Sequence, residues 1–235
     1  MPDIRADGYT VVPSVLTAGQ IAAGRRIVAD MLAEDPPPAD RTGPYFLWPR
    51  FDADGRLRDF YRDIDLAGLA GRVLTQTPEE PDAAQVAVTL PPFSHRPGGP
   101  HVDGLTPMAP DGRPGTFSLL AGVWLTDQSE TDRGNLWVWP GTHLRFGAYL
   151  ADRGADALVR VDEMNPGPYP KIDLGEPTQV TGAAGSVLFA HYLLAHNIGG
   201  HEGDERRETI YYRLHTPGHR ERWRDVVTHP LLELR

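Results

Sequence analysis

The stretch GSVLFAHYLLAH, residues 185–196, is strongly apolar and ends in a histidine. Its composition is typical of a buried strand that would carry this histidine, His196, towards a central cavity. Further strand-like stretches, separated by turns, lie at residues 84–92, 116–127, 135–140, 176–182 and 207–217. Several short strands spaced by turns predict a β-sandwich or barrel of the jelly-roll kind.

The N-terminal part of the chain has a different pattern. After a first strand at residues 7–16, residues 16–35 show helical periodicity with Thr17 as the N-cap. The proline-rich stretch 35–50 is expected to be a loop, because prolines interrupt a helix. Residues 57–74 then predict a second helix.

Length and composition fit a single domain. The 235 residues are 40% hydrophobic, which is enough for one sizeable core, and no low-complexity linker divides them. We therefore expect one mainly β domain with flanking helices over residues 1–235. Its helical support would cover about residues 1–80 and its jelly-roll core about residues 84–215.

Composition also excludes several classes of function. There is no cysteine, so a bound metal must be held by His, Asp or Glu. The net charge of −9 argues against a nucleic-acid partner, because an acidic chain repels phosphates. The N-terminus lacks the apolar segment of a signal peptide, and no apolar run approaches the roughly 20 residues of a membrane span. We therefore expect a cytoplasmic protein with no membrane partner.

One pair of residues suggests metal chemistry. In GGPHVDGLTP, residues 98–107, His101 and Asp103 are one residue apart and would share a face of an extended strand. With a second histidine they would form the facial triad of non-haem Fe(II) sites, which leaves positions open for other ligands. By itself the pair also fits a polar surface turn.

The third ligand is left open by the residues alone. The chain has nine histidines, and the best candidates lie in the apolar stretch or just after it: His191, His196 and His201. A histidine in an apolar run is more often a hydrogen-bonded core residue than a ligand. An arginine at the start of the next strand, in DERRETIYYRL, could face a metal held there.

Taken in order, these motifs resemble the phytanoyl-CoA dioxygenase-like family of Fe(II)/2-oxoglutarate oxygenases. The matching segments are HVD, GNLWVWPGTH, GSVLFAHYLLAHNIGG and RRETIYYRL, with an arginine eleven positions after His196. The opening strand and helix also look similar, so the resemblance covers about residues 8–215. It implies a double-stranded β-helix (jelly-roll, cupin-like) core, and Fe(II), 2-oxoglutarate and O2 as cofactor and cosubstrates.

The resemblance also implies roles for individual residues. His101, Asp103 and His196 would be the iron ligands and the catalytic centre. Arg207 would pair with the distal carboxylate of 2-oxoglutarate, a task that suits a bidentate guanidinium. The remaining implied positions are Trp124, which would line the cosubstrate pocket or pack in the core, and His143, with a structural or supporting role.

Two positions depart from the family pattern. Ile198 stands where a serine often contacts the cosubstrate, and Thr209 is the candidate for the missing hydroxyl. Val102 stands between the iron ligands where the family commonly has a polar residue. Both departures affect hydrogen bonding to the cosubstrate and leave the three metal ligands intact.

The implied activity is hydroxylation, or a related oxidation, of a C–H bond in a small-molecule metabolite, with release of succinate and CO2. Its substrate walls are expected in the loops at residues 41–50, 103–115 and 155–172, where Tyr45, Phe46 and Trp48 add an apolar component. The alternatives are a cupin-type metal enzyme that does not use 2-oxoglutarate, and a non-catalytic binding protein on the same fold.

Overall fold

The computed structural model describes residues 2–97, 99–103, 111–159 and 172–235. Within these ranges the chain forms a six-stranded sheet and a three-stranded sheet, flanked by helices. The strands are β1 (Tyr9–Val12), β2 (Gly43–Leu47), β3 (Gln85–Leu90), β4 (Leu119–Trp124), β5 (Trp137–Val138), β6 (Thr178–Gln179), β7 (Val187–His191), β8 (His196–Asn197) and β9 (Arg207–Leu214). The helices are α1 (Ala18–Glu34), α2 (Arg56–Asp63), α3 (Leu66–Ala70), α4 (Thr142–Arg153) and α5 (Trp223–Thr228), with a 3-10 turn at Ala155–Leu158.

The large sheet has the strand order β1-β7-β4-β9-β3-β2, and every neighbouring pair is antiparallel. Successive residues of a strand point to opposite faces. On β9, Ile210, Tyr212 and Leu214 pack into one apolar cluster with the N-terminal helices, whereas Tyr211 belongs to the cluster on the other face. This second face lies opposite the small sheet, whose order is β6-β5-β8, and the candidate site is between the two sheets. The predicted mainly β, jelly-roll fold class is confirmed.

The N-terminal helix forms as the sequence predicts. Thr17 caps α1: its hydroxyl accepts a hydrogen bond from the Gln20 backbone N–H, and the Gln20 side chain accepts one from the Thr17 N–H. The buried face of α1 packs at Gly24, where an added Cβ would approach Leu125 to 2.6 Å. The strands β1 and β2 also come from this N-terminal part, and they form the two edges of the large sheet.

Several predicted elements differ from the structure. The helix predicted over residues 57–74 is two helices, α2 and α3, because Asp65 adopts a left-handed conformation (φ 47°) and its carboxylate caps the second helix at Gly68. The predicted loop at residues 35–50 contains β2. Its Pro44 is compatible with a strand because β2 is at the edge of the sheet.

The apolar stretch 185–196 is also two strands rather than one. β7 ends at His191, where the Leu194 N–H donates to the His191 carbonyl, and β8 then begins at His196. Since the four turn residues are apolar and buried, composition does not distinguish this turn from a strand. The helix α4, which starts immediately before His143, was not predicted either. None of the helices within the described ranges is long and apolar enough to cross a membrane.

Candidate metal centre and cavity

Backbone pairing brings His101 and His196 together. Each residue donates its N–H to the carbonyl of the other, at 3.0 Å in both directions, so the segment before Asp103 adds to β8 as a further strand-like bridge. On its other side β8 pairs with β5, where Val138 is opposite His196. The imidazole rings of the two histidines are 4.5 Å apart between centroids.

Asp103 completes a cluster of three metal-binding side chains. One potential ligand atom from each of His101, Asp103 and His196 lies within 4.8 Å of the other two. The Oδ1 atom of Asp103 is 3.5 Å from Nε2 of His101 and 3.7 Å from Nε2 of His196. Neighbouring donors on an octahedral ion with bonds of about 2.1 Å are roughly 3 Å apart. Small side-chain adjustments would therefore bring these three atoms onto one face of such an ion.

The hydrogen bonding of His196 suits a metal ligand. Its Nδ1 is 2.9 Å from the Leu194 carbonyl, and because a carbonyl only accepts, Nδ1 carries the proton. This leaves the lone pair of Nε2 directed at the cluster when the ring is neutral. Burial lowers the pKa of His196, but the Asp103 carboxylate beside it raises the pKa above the usual value.

The two oxygens of the Asp103 carboxylate have different partners. Oδ1 faces the two histidines, whereas Oδ2 accepts a 2.5 Å hydrogen bond from Nη2 of Arg213. Burial alone would raise the pKa of Asp103, but the adjacent His101 and His196 and the charge of Arg213 hold it well below its usual range. The carboxylate is therefore ionised and can act as an oxygen ligand.

The three side chains open into a cavity of about 360 Å³ between the two sheets. A space of this size can hold a small organic molecule. The predicted wall residues Phe46 and Trp48 are at its rim, exposed by 39% and 57%, whereas Tyr45 packs against the helical side of the sheet. Parts of the other two predicted wall loops, residues 104–110 and 160–171, lie outside the described residues. The lining residues are Phe46, Trp48, Gln85, Ala87, Thr89, His101, Asp103, Leu120, Gly134, Leu136, His196, Asn197, Ile198, Arg207, Tyr211 and Arg213.

Arg207 enters the same cavity from the start of β9 and is only 6% exposed. Its Nε donates to the side-chain oxygen of Gln128 at 3.1 Å, and its Nη2 donates to the hydroxyl of Tyr211 at 2.7 Å. Gly134 makes room for the stem of this side chain: it has a φ of +77°, and an added Cβ would be 3.1 Å from the Arg207 Cβ. Arg207 is thus a buried, oriented cation with no carboxylate partner among the described residues.

Trp124 and Thr209 lie close to the cavity but are not among its lining residues. Trp124 is 1% exposed in the apolar cluster between the sheets, and its indole N–H has no hydrogen-bond partner within the described part of the chain. The Thr209 hydroxyl accepts from the side-chain nitrogen of Gln128 at 3.3 Å, so it reaches Arg207 only through that amide.

The two positions that depart from the family pattern have different surroundings. Val102 is buried in the same apolar cluster as Trp124, and Ile198 lines the cavity.

The other candidate histidines are elsewhere. His191 is buried beside His143, with ring centroids 5.2 Å apart, and the pKa of His191 is lowered to about 3 by burial and by this neighbour. His143 lies at the start of α4, 3.1 Å from the Arg5 carbonyl, which is a structural contact. His201 pairs through its backbone with Phe93. Among the three histidines left open by the sequence, His196 is therefore the one that joins His101 and Asp103.

Three residues of the site were not found from the sequence: Gln128, Tyr211 and Arg213. Tyr211 and Arg213 could have been predicted, because each lies an even number of residues after Arg207 on β9. Side chains at such positions share one face of a strand. No pattern marks Gln128, which contacts Arg207 from the segment that follows β4. It is fully buried and its backbone pairs with Gly182.

The fold is shared with solved structures of a 2-oxoglutarate-dependent enzyme, of a protein with bound 2-oxoglutarate, and of a third protein. The non-heme alpha-ketoglutarate-dependent carbocyclase SnoK from nogalamycin biosynthesis aligns over 90% of this chain and 81% of its own, with 20% identity and a TM-score of 0.60. HygX from Streptomyces hygroscopicus, with nickel and 2-oxoglutarate bound, aligns over 91% and 84%, with 16% identity and a TM-score of 0.59. AviO1 from Streptomyces viridochromogenes Tue57 aligns over 91% and 92%, with 19% identity and a TM-score of 0.60.

The three donor side chains in this fold fit the class of non-haem Fe(II)- and 2-oxoglutarate-dependent enzymes. Residues 4–209 match the family model described as Phytanoyl-CoA dioxygenase (PhyH), so the chain belongs to this family, which uses Fe(II), 2-oxoglutarate and O2. A search of curated proteins gives no match. The resemblance found from the sequence is therefore confirmed at the level of the family.

Proposed function

We propose that this chain is an Fe(II)- and 2-oxoglutarate-dependent oxygenase that hydroxylates, or otherwise oxidises, a C–H bond of a small-molecule metabolite. In the hydroxylation, 2-oxoglutarate, O2 and the substrate R–H give succinate, CO2 and R–OH. One oxygen atom of O2 enters succinate and the other enters R–OH. The observation that carries the proposal is the convergence of His101, Asp103, His196 and the buried Arg207 on one cavity.

The three-residue cluster is the proposed metal site. His101 and His196 would bind through Nε2 and Asp103 through Oδ1, the atoms that already face one another. Two imidazoles and one carboxylate are the donor set of the facial triad. Bound there, Fe(II) would supply the centre at which 2-oxoglutarate and O2 react. The carboxylate ligand favours hydroxylation over halogenation, which needs that position free for a halide.

Arg207 is the proposed partner of the distal carboxylate of 2-oxoglutarate. A buried, permanently charged guanidinium is costly unless an anion pairs with it, and a carboxylate would supply that partner in bidentate geometry. Gln128 and Tyr211 hold Arg207 in position from two sides. Thr209 would contribute by orienting Gln128, and a contact of Trp124 with the cosubstrate stays a prediction.

The proposed substrate is a small organic molecule that enters beside Phe46 and Trp48, the most exposed of the apolar lining residues. Solved structures with this fold hold such molecules: SnoN contains nogalamycin RO and HygX contains hygromycin B.

Calorimetric titration of 2-oxoglutarate into the Mn(II)-loaded protein tests the proposal. Arg207→Met is expected to weaken binding by about 100-fold, the usual scale for removing one partner of a buried charge pair. The matched control is Arg224→Met, whose exposed guanidinium pairs with Asp156, and neither residue lines the cavity. Equal binding by the wild type and Arg207→Met would show that Arg207 is not the partner of the cosubstrate. A wild-type protein that binds Mn(II) but not 2-oxoglutarate would favour a cupin-type metal enzyme that does not use 2-oxoglutarate. A wild-type protein that binds no metal would favour a non-catalytic binding protein.

A further inference from the structure

Arg213 is the second arginine of the cavity, and its guanidinium is held by four groups. Nη2 donates to Oδ2 of Asp103 at 2.5 Å and lies 3.3 Å from the side-chain oxygen of Gln85. The guanidinium carbon lies 4.9 Å from the ring centre of Trp48 and 5.6 Å from that of Phe117. Cation–π contacts on two rings, together with two acceptors, stabilise this side chain in its position.

The two oxygens of the Asp103 carboxylate face different groups. Arg213 donates a hydrogen bond to Oδ2, whereas the ion-pair contacts of the two histidines are with Oδ1. A carboxylate at this position could otherwise rotate and offer either oxygen, or both, to a metal ion. The short hydrogen bond to a fixed guanidinium removes that freedom before any metal binds.

We propose that Arg213 is a positioning residue of the metal centre: it holds Oδ2 of Asp103 so that Oδ1 alone is presented to a metal ion between His101 and His196. This inference rests on the proposed function, because it takes the three-residue cluster as the metal site. Partners that orient metal ligands commonly change metal affinity by 10–100-fold.

The charge of Arg213 and its hydrogen bond act in opposite directions. A cation close to the site repels a divalent metal, whereas orientation of Asp103 favours binding. Since Oδ2 already neutralises the guanidinium in an ion pair, the orienting effect is expected to prevail. Arg213→Met removes both effects and Arg213→Lys keeps the charge and one donor, so the two variants measure the balance.

The experiment is calorimetric titration of Co(II), without 2-oxoglutarate, into the metal-free protein. Arg213→Met is expected to bind 10–100-fold more weakly, and Arg213→Lys to recover part of that loss. The matched control is again Arg224→Met, which removes a guanidinium that also has a carboxylate partner and an aromatic ring 4.5 Å away. This control is expected to bind Co(II) as the wild type does.

The visible spectrum of bound Co(II) gives a second readout that a loss of stability alone would not change. At saturating metal, Arg213→Met should alter the spectrum, because Asp103 can then bind through both oxygens, and Arg213→Lys should restore it. Trp48→Ala removes an exposed ring and loosens the guanidinium without touching the three ligands. Trp48→Ala is expected to lose less Co(II) affinity than Arg213→Met. If Arg213→Met does not fold, the Co(II) affinity of Trp48→Ala tests the inference instead.

A folded Arg213→Met protein with unchanged or tighter Co(II) binding and an unchanged spectrum would overturn the inference. Arg213 would then be free to serve an anionic group of the substrate instead. This failure is distinct from failure of the proposed function, which shows as a wild-type protein that binds no metal, or binds metal but not 2-oxoglutarate.

Discussion

His101 and His196 exchange a reciprocal pair of backbone hydrogen bonds, each 3.0 Å long, and these place their imidazole rings 4.5 Å apart. The two ligands therefore share one rigid backbone frame, although they come from distant parts of the chain. Asp103 follows His101 closely enough to be positioned by the same frame. The metal site is thus built largely by strand pairing, before any ion is bound.

Removal of one ligand should abolish stabilisation by metal. Mn(II) at about 100 times its dissociation constant is expected to raise the free energy of unfolding of the wild type by about 2.7 kcal/mol. His196→Ala should lose this gain because only two ligands remain. Thermal melting with and without Mn(II) measures the effect, and the exposed His229→Gln serves as control. Equal stabilisation of His196→Ala and the wild type would contradict the assignment.

Tyr211→Phe should weaken 2-oxoglutarate binding without affecting the metal. The hydroxyl of Tyr211 accepts a 2.7 Å hydrogen bond from Arg207, and a hydrogen bond to a charged group contributes about 1.5–3 kcal/mol. We expect roughly 10-fold or greater weakening in calorimetric titrations of the Mn(II)-loaded protein. A variant in which Mn(II) affinity falls while 2-oxoglutarate affinity is kept would show that Tyr211 acts on the triad instead.

The metal-free protein should lose stability as the pH falls below about 6.5. Burial lowers the pKa of His191 to about 3 and that of His215 to about 4, so both stay neutral in the folded state. The unfolded chain takes up their protons as the pH falls through 6.5, which favours unfolding by up to about 1.4 kcal/mol per pH unit and histidine. The raised pKa of His196 opposes part of this loss.

Urea denaturation between pH 7.5 and 5 measures this dependence. His191→Asn should flatten the slope, whereas the exposed His229→Gln should leave it unchanged. A slope that is the same in all three proteins would show that His191 does not remain neutral in the fold.

Glu233 should be among the most important polar residues for stability. Its carboxylate accepts hydrogen bonds from Ser118 at 2.6 Å and Thr216 at 2.5 Å, and it lies 2.9 Å from Nδ1 of His219, all buried. Burial alone would raise its pKa, but His219 and the two hydroxyls lower it to about 2.

Glu233→Ala removes the acceptor that these buried partners share and should cost about 3–5 kcal/mol in chemical denaturation. The exposed Glu221→Ala is the matched control. A loss below about 1 kcal/mol would show that the network contributes no more than a surface ion pair.

The sequence predicts those parts of the site that have a regular spacing. His101 and Asp103 share a motif, and Arg207 follows His196 at the family interval. Gln128 was missed because its role depends on a turn that brings it behind Arg207, and no local pattern encodes that approach. Arg213 was missed although it shares a face of β9 with Arg207, because an arginine near the end of a strand is usually exposed to solvent.

Predictions of the fold failed where an element departs from its usual composition. The turn between β7 and β8 consists of apolar residues because it is buried between the sheets, so it looks like a continuation of the strand. β2 contains Pro44, which an edge strand tolerates and a central one does not. In both places tertiary contacts determine the structure, although the local sequence favours a different one.

Anaerobic addition of Fe(II) and 2-oxoglutarate to the purified protein tests the central claim most directly, with visible absorption as the readout. We expect a metal-to-ligand charge-transfer band in the wild type, no band in His196→Ala, and a band restored only by excess 2-oxoglutarate in Arg207→Met. A wild-type protein that binds Fe(II) by calorimetry and shows no such band would contradict the account.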